Sequence, residues 1–433
     1  MNASGDTEPI LISMPLDAAL NEDRPELLRG MNSVAGQASR RMIVALGGVL
    51  FLLMLPVTMM VPVLKELVSD RFGVSSAWPH LFMSINMVAA VLTAPFGGHL
   101  ADRVGRRKPV LIAALAAHTG VLLLMAGADS LWGLLALRFV EGAVHILGVS
   151  TVMALAGDWA DPARRGRMMG VVGSSLMLGT AFGAPLGGWI GGGTPAHVFL
   201  MGAFVAGLAA LIAGLFLLDA PHRAGSSSLK AALRLVLTHR ELLVPYAYAF
   251  ADRLCVGVFV SSFVLYLSNV LEISTSQRGL LIALFMLPFA FLCYPMGRLT
   301  DRIGRVVPIC AGNIGFGIVF AWYGAIPASW MPSAMIVSGV LSAVMFAPNL
   351  ALCSDLAPLH QRATVYAGFN VAGSLGFMCG PMLGGAVLAL VTPAAGAVAG
   401  YQSACAAAGM ATVVCALVTL PSLLRLRRLG RTG

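Results

Sequence analysis

Charge is scarce in this chain. Only 11% of its 433 residues are Asp, Glu, Lys or Arg, while 58% are hydrophobic. An ordinary soluble domain, with about a quarter of its residues charged, is excluded. Cysteine is absent from the first 254 residues, and the seven present, from Cys255 to Cys415, sit inside apolar runs without a C-x-x-C pair. They read as reduced packing residues, not as a disulfide framework. The histidines are scattered with no H-E-x-x-H and no Cys/His spacing, so no metal is expected. Nucleophile–base pairs and phosphate loops are also missing, which argues against an enzyme and gives no reason to expect a cofactor. The apolar runs lack the period-two alternation of a membrane strand, and an open sheet edge cannot sit in lipid.

What is present is a succession of apolar runs, each about 20 residues long and able to cross a bilayer as a helix. Twelve are read, at 42–66, 78–101, 108–128, 131–157, 166–192, 197–218, 242–268, 277–297, 306–326, 331–354, 363–390 and 397–421. The fold class is an all-α integral membrane protein. Residues 1–40 read as a polar, largely disordered tail without a cleavable signal peptide. A first bundle at 41–218 and a second at 242–422 follow, with a linker at 219–241 and a tail at 423–433. Leu229, Leu233, Val236 and Leu237, beside Lys230, Arg234 and Arg240, predict an amphipathic helix lying on the membrane within that linker.

Two phrases repeat. Gly98-x-Leu100-x-Asp102-Arg103-x-Gly105-Arg106 returns as Gly297-x-Leu299-x-Asp301-Arg302-x-Gly304-Arg305. Asp158, Arg165, Gly179, Gly183, Gly187 and Gly188 return as Asp355, Arg362, Gly376, Gly380, Gly384 and Gly385. One six-helix unit is therefore built twice, giving two pseudo-symmetric six-helix bundles, the plan of a secondary transporter. Placing both termini in the cytoplasm of a cell with an inner (plasma) membrane leaves only Lys65, Arg71 and Arg278 on the outer side. The net charge of +9 then reflects topology and lipid headgroups, not nucleic acid.

Within the repeats, Arg106 has the reach to pair with Asp158 at a neighbouring helix end, beside Asp102. Asp301, Arg305 and Asp355 supply the same set in the second half. Such charges form a latch that holds one conformation and breaks in another. Gly179, Gly183, Gly187 and Gly188 form a groove for a closely packed helix, and Pro185 removes a backbone hydrogen bond. The outer parts of runs 5 and 11 are expected to form a flexible interface between the halves.

The Gly98–Arg106 phrase resembles the signature loop of the major facilitator superfamily, and the similarity spans roughly residues 40–422. Arg138-x-x-Glu141-Gly142 resembles the superfamily pattern R-x-x-Q-G, associated with proton coupling, with Glu141 in place of the usual Gln. Run 5 resembles the glycine-proline pattern of its drug-efflux antiporters, except that Ala184 follows Gly183 and the proline comes one place later, at Pro185. Run 11 keeps the expected order, Gly380-Pro381-x-x-Gly384. The resemblance implies alternating access, proton coupling and a small-molecule substrate.

Ionisable residues inside the runs are costly and therefore mark function. Arg138, Glu141 and His145 share one face of run 4. They read either as a proton relay or as a structural ion pair. Asp252 and Arg253 stand near mid-depth in run 7. Asp252 is favoured as a site for a proton or a cationic substrate group, against an ion pair that braces the helix. Run 1 holds no acid from Met42 to Val63, so coupling rests on runs 4 and 7. The expected cavity lining joins Phe259, Phe263 and Phe346 with Asn86, Tyr248, Tyr266, Asn349 and Asn370, which suits bulky amphipathic substrates. The expected protein is a monomeric, proton-coupled exporter of small amphipathic molecules. The alternatives are an uptake symporter for a polar metabolite and a sensor that transports nothing.

Overall fold

The computed structural model describes residues 24–104, 106–159, 165–219, 238–357 and 361–428. Among them the regular structure is helical. The first half comprises α1 (Arg24–Met59), α2 (Ala77–Val104), α3 (Arg107–Ala126), α4 (Leu131–Trp159), α5 (Arg165–Ile190) and α6 (His197–Phe216). The second comprises α7 (Leu243–Val258), α8 (Val264–Asn269), α9 (Thr275–Ile303), α10 (Val306–Ala321), α11 (Met331–Leu356) and α12 (Arg362–Arg428). A π-helical turn at Phe259–Phe263 joins α7 to α8, so the two make one crossing. Sixty-seven residues are more than one crossing needs, and α12 is broken at Gly396, whose φ of 87° suits glycine. It supplies the last two crossings, and the total among the described residues is twelve.

Several boundaries differ from those read in the sequence. α1 is already helical at Arg24, well before residue 42, and ends at Met59, with a separate π turn at Glu66–Asp70. The final helix continues to Arg428, beyond residue 422. Residues 220–237, where the amphipathic linker helix was expected, lie outside the described residues, as do residues 1–23. At α9 the start is written locally. Ser274 Oγ accepts from the Gln277 amide at 3.4 Å and Gln277 Oε1 accepts from the Ser274 amide at 3.3 Å, a reciprocal capping box.

Within the first half, α1 packs on α5 and α6, α2 on α4, and α3 on α4 and α6. Within the second, α7 packs on α12, α9 on α11, and α10 on α11 and α12. The halves meet through α5 with α9 and α2 with α12. The perimeter carries exposed Leu123, Leu124, Phe204, Leu390 and Val418. An apolar belt of this extent is stable against lipid, not water. Trp132, Trp189, Trp322 and Trp330 are all exposed at helix ends on one side of the bundle, as interfacial anchors are. That side is called the far end here; the opposite, arginine-rich side is the basic end.

Candidate functional site

The most enclosed polar cluster lies inside the first half. Gly142 makes it possible: a Cβ there would fall 2.1 Å from the Asn86 carbonyl oxygen, so α4 and α2 touch backbone to backbone. Asn86 can then donate from Nδ2 to Glu141 Oε2. The same oxygen accepts from Arg138 Nη1 at 2.8 Å. Glu141 Oε1 lies 3.1 Å from His118 Nε2, on α3. The ring of His145 stands edge-to-face on His118, with centroids 5.4 Å apart. Arg138 also lies over the Phe82 ring at 4.7 Å and directs Nη1 to Met60 Sδ at 3.1 Å. Arg138, Glu141 and His118 are at most 1% exposed, and His145 is 8% exposed.

Two features of this cluster were not legible beforehand. His118 was not singled out, because a lone histidine on a neighbouring helix carries no spacing signal relative to Glu141. Asn86 was assigned to the cavity lining; it is instead 3% exposed and committed to Glu141. His118, Glu141 and His145 bring three ligand-type atoms within 4.8 Å of one another. A divalent cation there would add to the Arg138 charge in a sealed site, and Glu141 is already engaged by three partners. The donor set therefore suits a metal poorly.

In the second half, Asp252 Oδ2 lies 3.8 Å from Arg253 Nε, too far for a hydrogen bond. Their side chains are 16% and 34% exposed. The guanidinium stands 5.7 Å from the Phe346 ring centroid. Phe346 in turn meets Phe289 at 5.5 Å and Phe369 at 6.3 Å. These aromatic groups come from α9, α11 and α12 and converge on the same wall as α7.

The rest of the expected cavity lining is largely corrected. Phe259, Phe263 and Tyr266 are 3%, 0% and 4% exposed. They pack with Phe285, Phe320 and Tyr323 inside the second bundle. Tyr248 is sealed in a separate core, where Thr419 donates to its hydroxyl at 2.7 Å. Asn349 is also buried, donating to the Pro245 carbonyl at 3.2 Å. Only half-buried Phe346 and exposed Asn370 remain open. A helical face that looks cavity-lining in one dimension can equally pack on a neighbour in its own bundle, and here the neighbour wins.

The glycine groove is also redirected. A Cβ at Gly179, Gly183 or Gly187 would lie 2.4, 2.5 or 2.0 Å from carbonyl oxygens of Phe51, Leu55 or Met59, all on α1. That row packs within its own half; Gly188 alone crosses, 2.4 Å from the Thr275 carbonyl. Pro185 lies within α5 and touches the other half, its Cα 3.0 Å from a Cβ built on Gly279. Gly376 and Gly380 meet α7 at the Phe250 and Leu254 carbonyls, and Pro381 abuts Gly257. Gly384 meets Ser262 and approaches His80 of the first half.

Polar contacts between the halves cluster at the far end. Arg278 pairs with Glu66 through both guanidinium nitrogens, Nη1–Oε2 being 3.2 Å, and donates from Nε to the Ile273 carbonyl at 2.9 Å. His80 Nε2 meets Ser262 Oγ at 2.9 Å, and Ser276 donates to the Gly188 carbonyl at 3.2 Å. Sequence reading counted Arg278 only as a charge on the outer side. Toward the basic end the helices separate. A Cβ on Gly279 would lie 2.6 Å from the Ala184 carbonyl, but one on Gly297 or Gly173 would meet nothing within 4 Å. Gly297 is 18 residues from Gly279, on the same face of α9, and Gly173 is within about 20° of Ala184 on α5. The same faces thus touch at one end and stand apart at the other.

At the basic end the first latch differs from expectation. Arg107 Nε, not Arg106, meets Asp158 Oδ2, at 2.5 Å. Arg106 precedes α3 in extended conformation, is 72% exposed, and reaches Asp219 Oδ2 at 3.2 Å. Because helix begins at Arg107, its side chain turns into the bundle while that of Arg106 turns out. Asp219 also accepts from the Lys108 amide at 2.7 Å, so a carboxylate caps α3 where its dipole favours one. In the second half Arg305 Nε meets Asp355 Oδ2 at 3.2 Å. The side chains of Gly98, Asp102, Arg103 and Asp301, and all of Gly105, lie outside the described residues.

Comparison with known proteins agrees with the duplicated plan. The sequence profile of the Major Facilitator Superfamily matches residues 46–267 and again 246–431. The tetracycline resistance protein, class G, of Vibrio anguillarum is 26% identical over 333 residues, covering 75% of this chain and 84% of its own. A multi-drug resistance efflux pump PmrA homolog of Lactococcus lactis is 23% identical over 331 residues, covering 72% and 78%. Among solved structures, a bacterial homolog of the human lysosomal transporter Spinster, inward-facing and unoccupied, superposes with a TM-score of 0.75 at 16% identity, covering 89% of this chain and 96% of that one. With the profile covering both halves and the twelve crossings arranged as two six-helix bundles, this chain belongs to the Major Facilitator Superfamily of membrane transporters.

Proposed function

We propose that the protein exports small amphipathic molecules in exchange for protons, with its basic end in the cytoplasm. The observation that carries this reading is the sealed Arg138–Glu141–His118 cluster with His145 at its edge. Arg138 and Glu141 cancel each other's charge. Oε2 is committed to Arg138 and Asn86, leaving Oε1 and His118 as the place where one more proton fits. His145, 8% exposed, stands against the His118 ring at the edge of that place, where a proton could pass on if the cluster opens. A proton added to a sealed site is expensive unless the site wets or rearranges, and that links protonation to conformation. The closed far end and separated basic end correspond to an inward-facing state under this orientation. Tetracycline resistance and multi-drug efflux, named for two relatives, favour export.

The test uses everted membrane vesicles, with tetracycline as the first probe and neutral and cationic amphiphiles beside it. An acid interior should drive accumulation. Glu141→Gln should abolish accumulation driven by the pH gradient but permit downhill exchange. Wild-type behaviour of that variant in both conditions would overturn the coupling assignment; accumulation only with an alkaline interior would overturn the direction.

A further inference from the structure

The pair Asp252–Arg253 does not behave as a closed brace. Neither side chain makes a hydrogen bond among the described residues, and neither is sealed. Yet both stand near mid-depth: Asp252 is nine residues from the start of α7, about 14 Å along the axis. The Arg253 stem lies against Gly373, where a Cβ would come 3.2 Å from its Cγ. The guanidinium stands 5.7 Å from the Phe346 ring centroid, within reach of a cation–π contact. Its terminal nitrogens remain free to donate as a fork.

We propose that Asp252 and Arg253 receive a zwitterion, and that the transported molecule carries an ammonium and a carboxylate on neighbouring positions, as an α-amino acid does, beside a flat apolar body. The carboxylate takes the Arg253 fork, the ammonium takes Asp252, and the apolar body lies along half-buried Phe346, which buried Phe289 and Phe369 back from within the bundle. Charge balance selects this class. An anion alone leaves the occupied site at net −1 and faces Asp252; a cation alone leaves +1 and faces Arg253. A zwitterion keeps the net charge at zero and pairs every charge at mid-membrane depth. The two halves then divide the work, with the proton in the first and the substrate in the second. This inference rests on the transport reading above but not on its proton coupling.

The experiment measures binding at neutral pH to the purified full chain in detergent, without any gradient, by calorimetry and thermal unfolding. The probes are biphenylalanine, biphenylethylamine and biphenylpropionic acid, which share one apolar body. Biphenylalanine should bind at least about tenfold more tightly than either singly charged analogue, since each charged hydrogen bond contributes that much. In Arg253→Gln the amino acid should bind no better than the amine; in Asp252→Asn, no better than the acid. Asp252→Asn/Arg253→Gln leaves no unpaired charge in the bilayer and guards against misfolding. It should erase the ranking. Equal binding of all three by the wild type, binding of none by folded protein, or an unchanged ranking in the double variant would overturn the proposal. Absence of pH-driven flux in the wild type with the ranking intact would count against proton coupling alone.

Discussion

Removing the carboxylate of Glu66 tests how the far end is held shut. Arg278 is 3% exposed and Glu66 22%, and the guanidinium spans both carboxylate oxygens while its Nε holds the Ile273 carbonyl. Fully exposed pairs contribute about 0–1 kcal/mol, and breaking a fully buried one costs about 3–5 kcal/mol. This pair is half-way between, and opening the far end would return both charges to water. Its contribution to the closed state is therefore about 1–3 kcal/mol, roughly a 5- to 150-fold bias in the conformational equilibrium. Glu66→Gln also leaves Arg278 charged and buried in the closed state, which pushes the same way. The assay is the distance distribution between spin labels at exposed Asp70 and Leu280, on opposite sides of the seam. Wild type should give one short distance; Glu66→Gln should show a second, longer population. An unchanged distribution in a well-folded variant would show that helix packing at Gly188 and Gly279 closes the far end without the ion pair.

Other consequences follow from the same geometry. Arg107→Ala should destabilise the protein by about 3 kcal/mol and slow transport, because it strips a nearly buried Asp158 of a close partner; Arg106→Ala, at an exposed position, should cost under about 1 kcal/mol. Thermal unfolding of the two variants side by side checks the order, and the reverse order would restore Arg106 as the principal partner. Gly142→Ala should lower stability by about 1–3 kcal/mol through its clash with the Asn86 backbone. It should also impair pH-driven flux by displacing Asn86 from Glu141, and normal flux would separate the packing from the proton site. His118→Asn should weaken pH-driven flux more than downhill exchange, measured in the same vesicles; equal effects on both would assign His118 to packing.

The sequence by itself determined the membrane class, the count of twelve crossings and the two-fold repeat. These follow from run length, composition and duplicated spacing, all of which are one-dimensional. It also placed Arg138 and Glu141 in contact, since residues three apart on a helix are neighbours by construction. Partners across helices were decided only by tertiary structure. His118 joins Glu141 because α3 and α4 pack at that depth, and no spacing in the chain encodes it. Arg107 replaces Arg106 at Asp158 because Arg106 is still extended and the helix begins at Arg107, so only the second side chain turns into the bundle. The apolar face of α7 and α8 that resembled a cavity wall turned inward because bundle core and cavity draw on the same residue types. Which charges lie open at mid-depth, and which end is closed, depend on how two half-proteins lean against each other. That lean is set by contacts such as Glu66–Arg278, separated by 212 residues in the chain, and no local pattern records it.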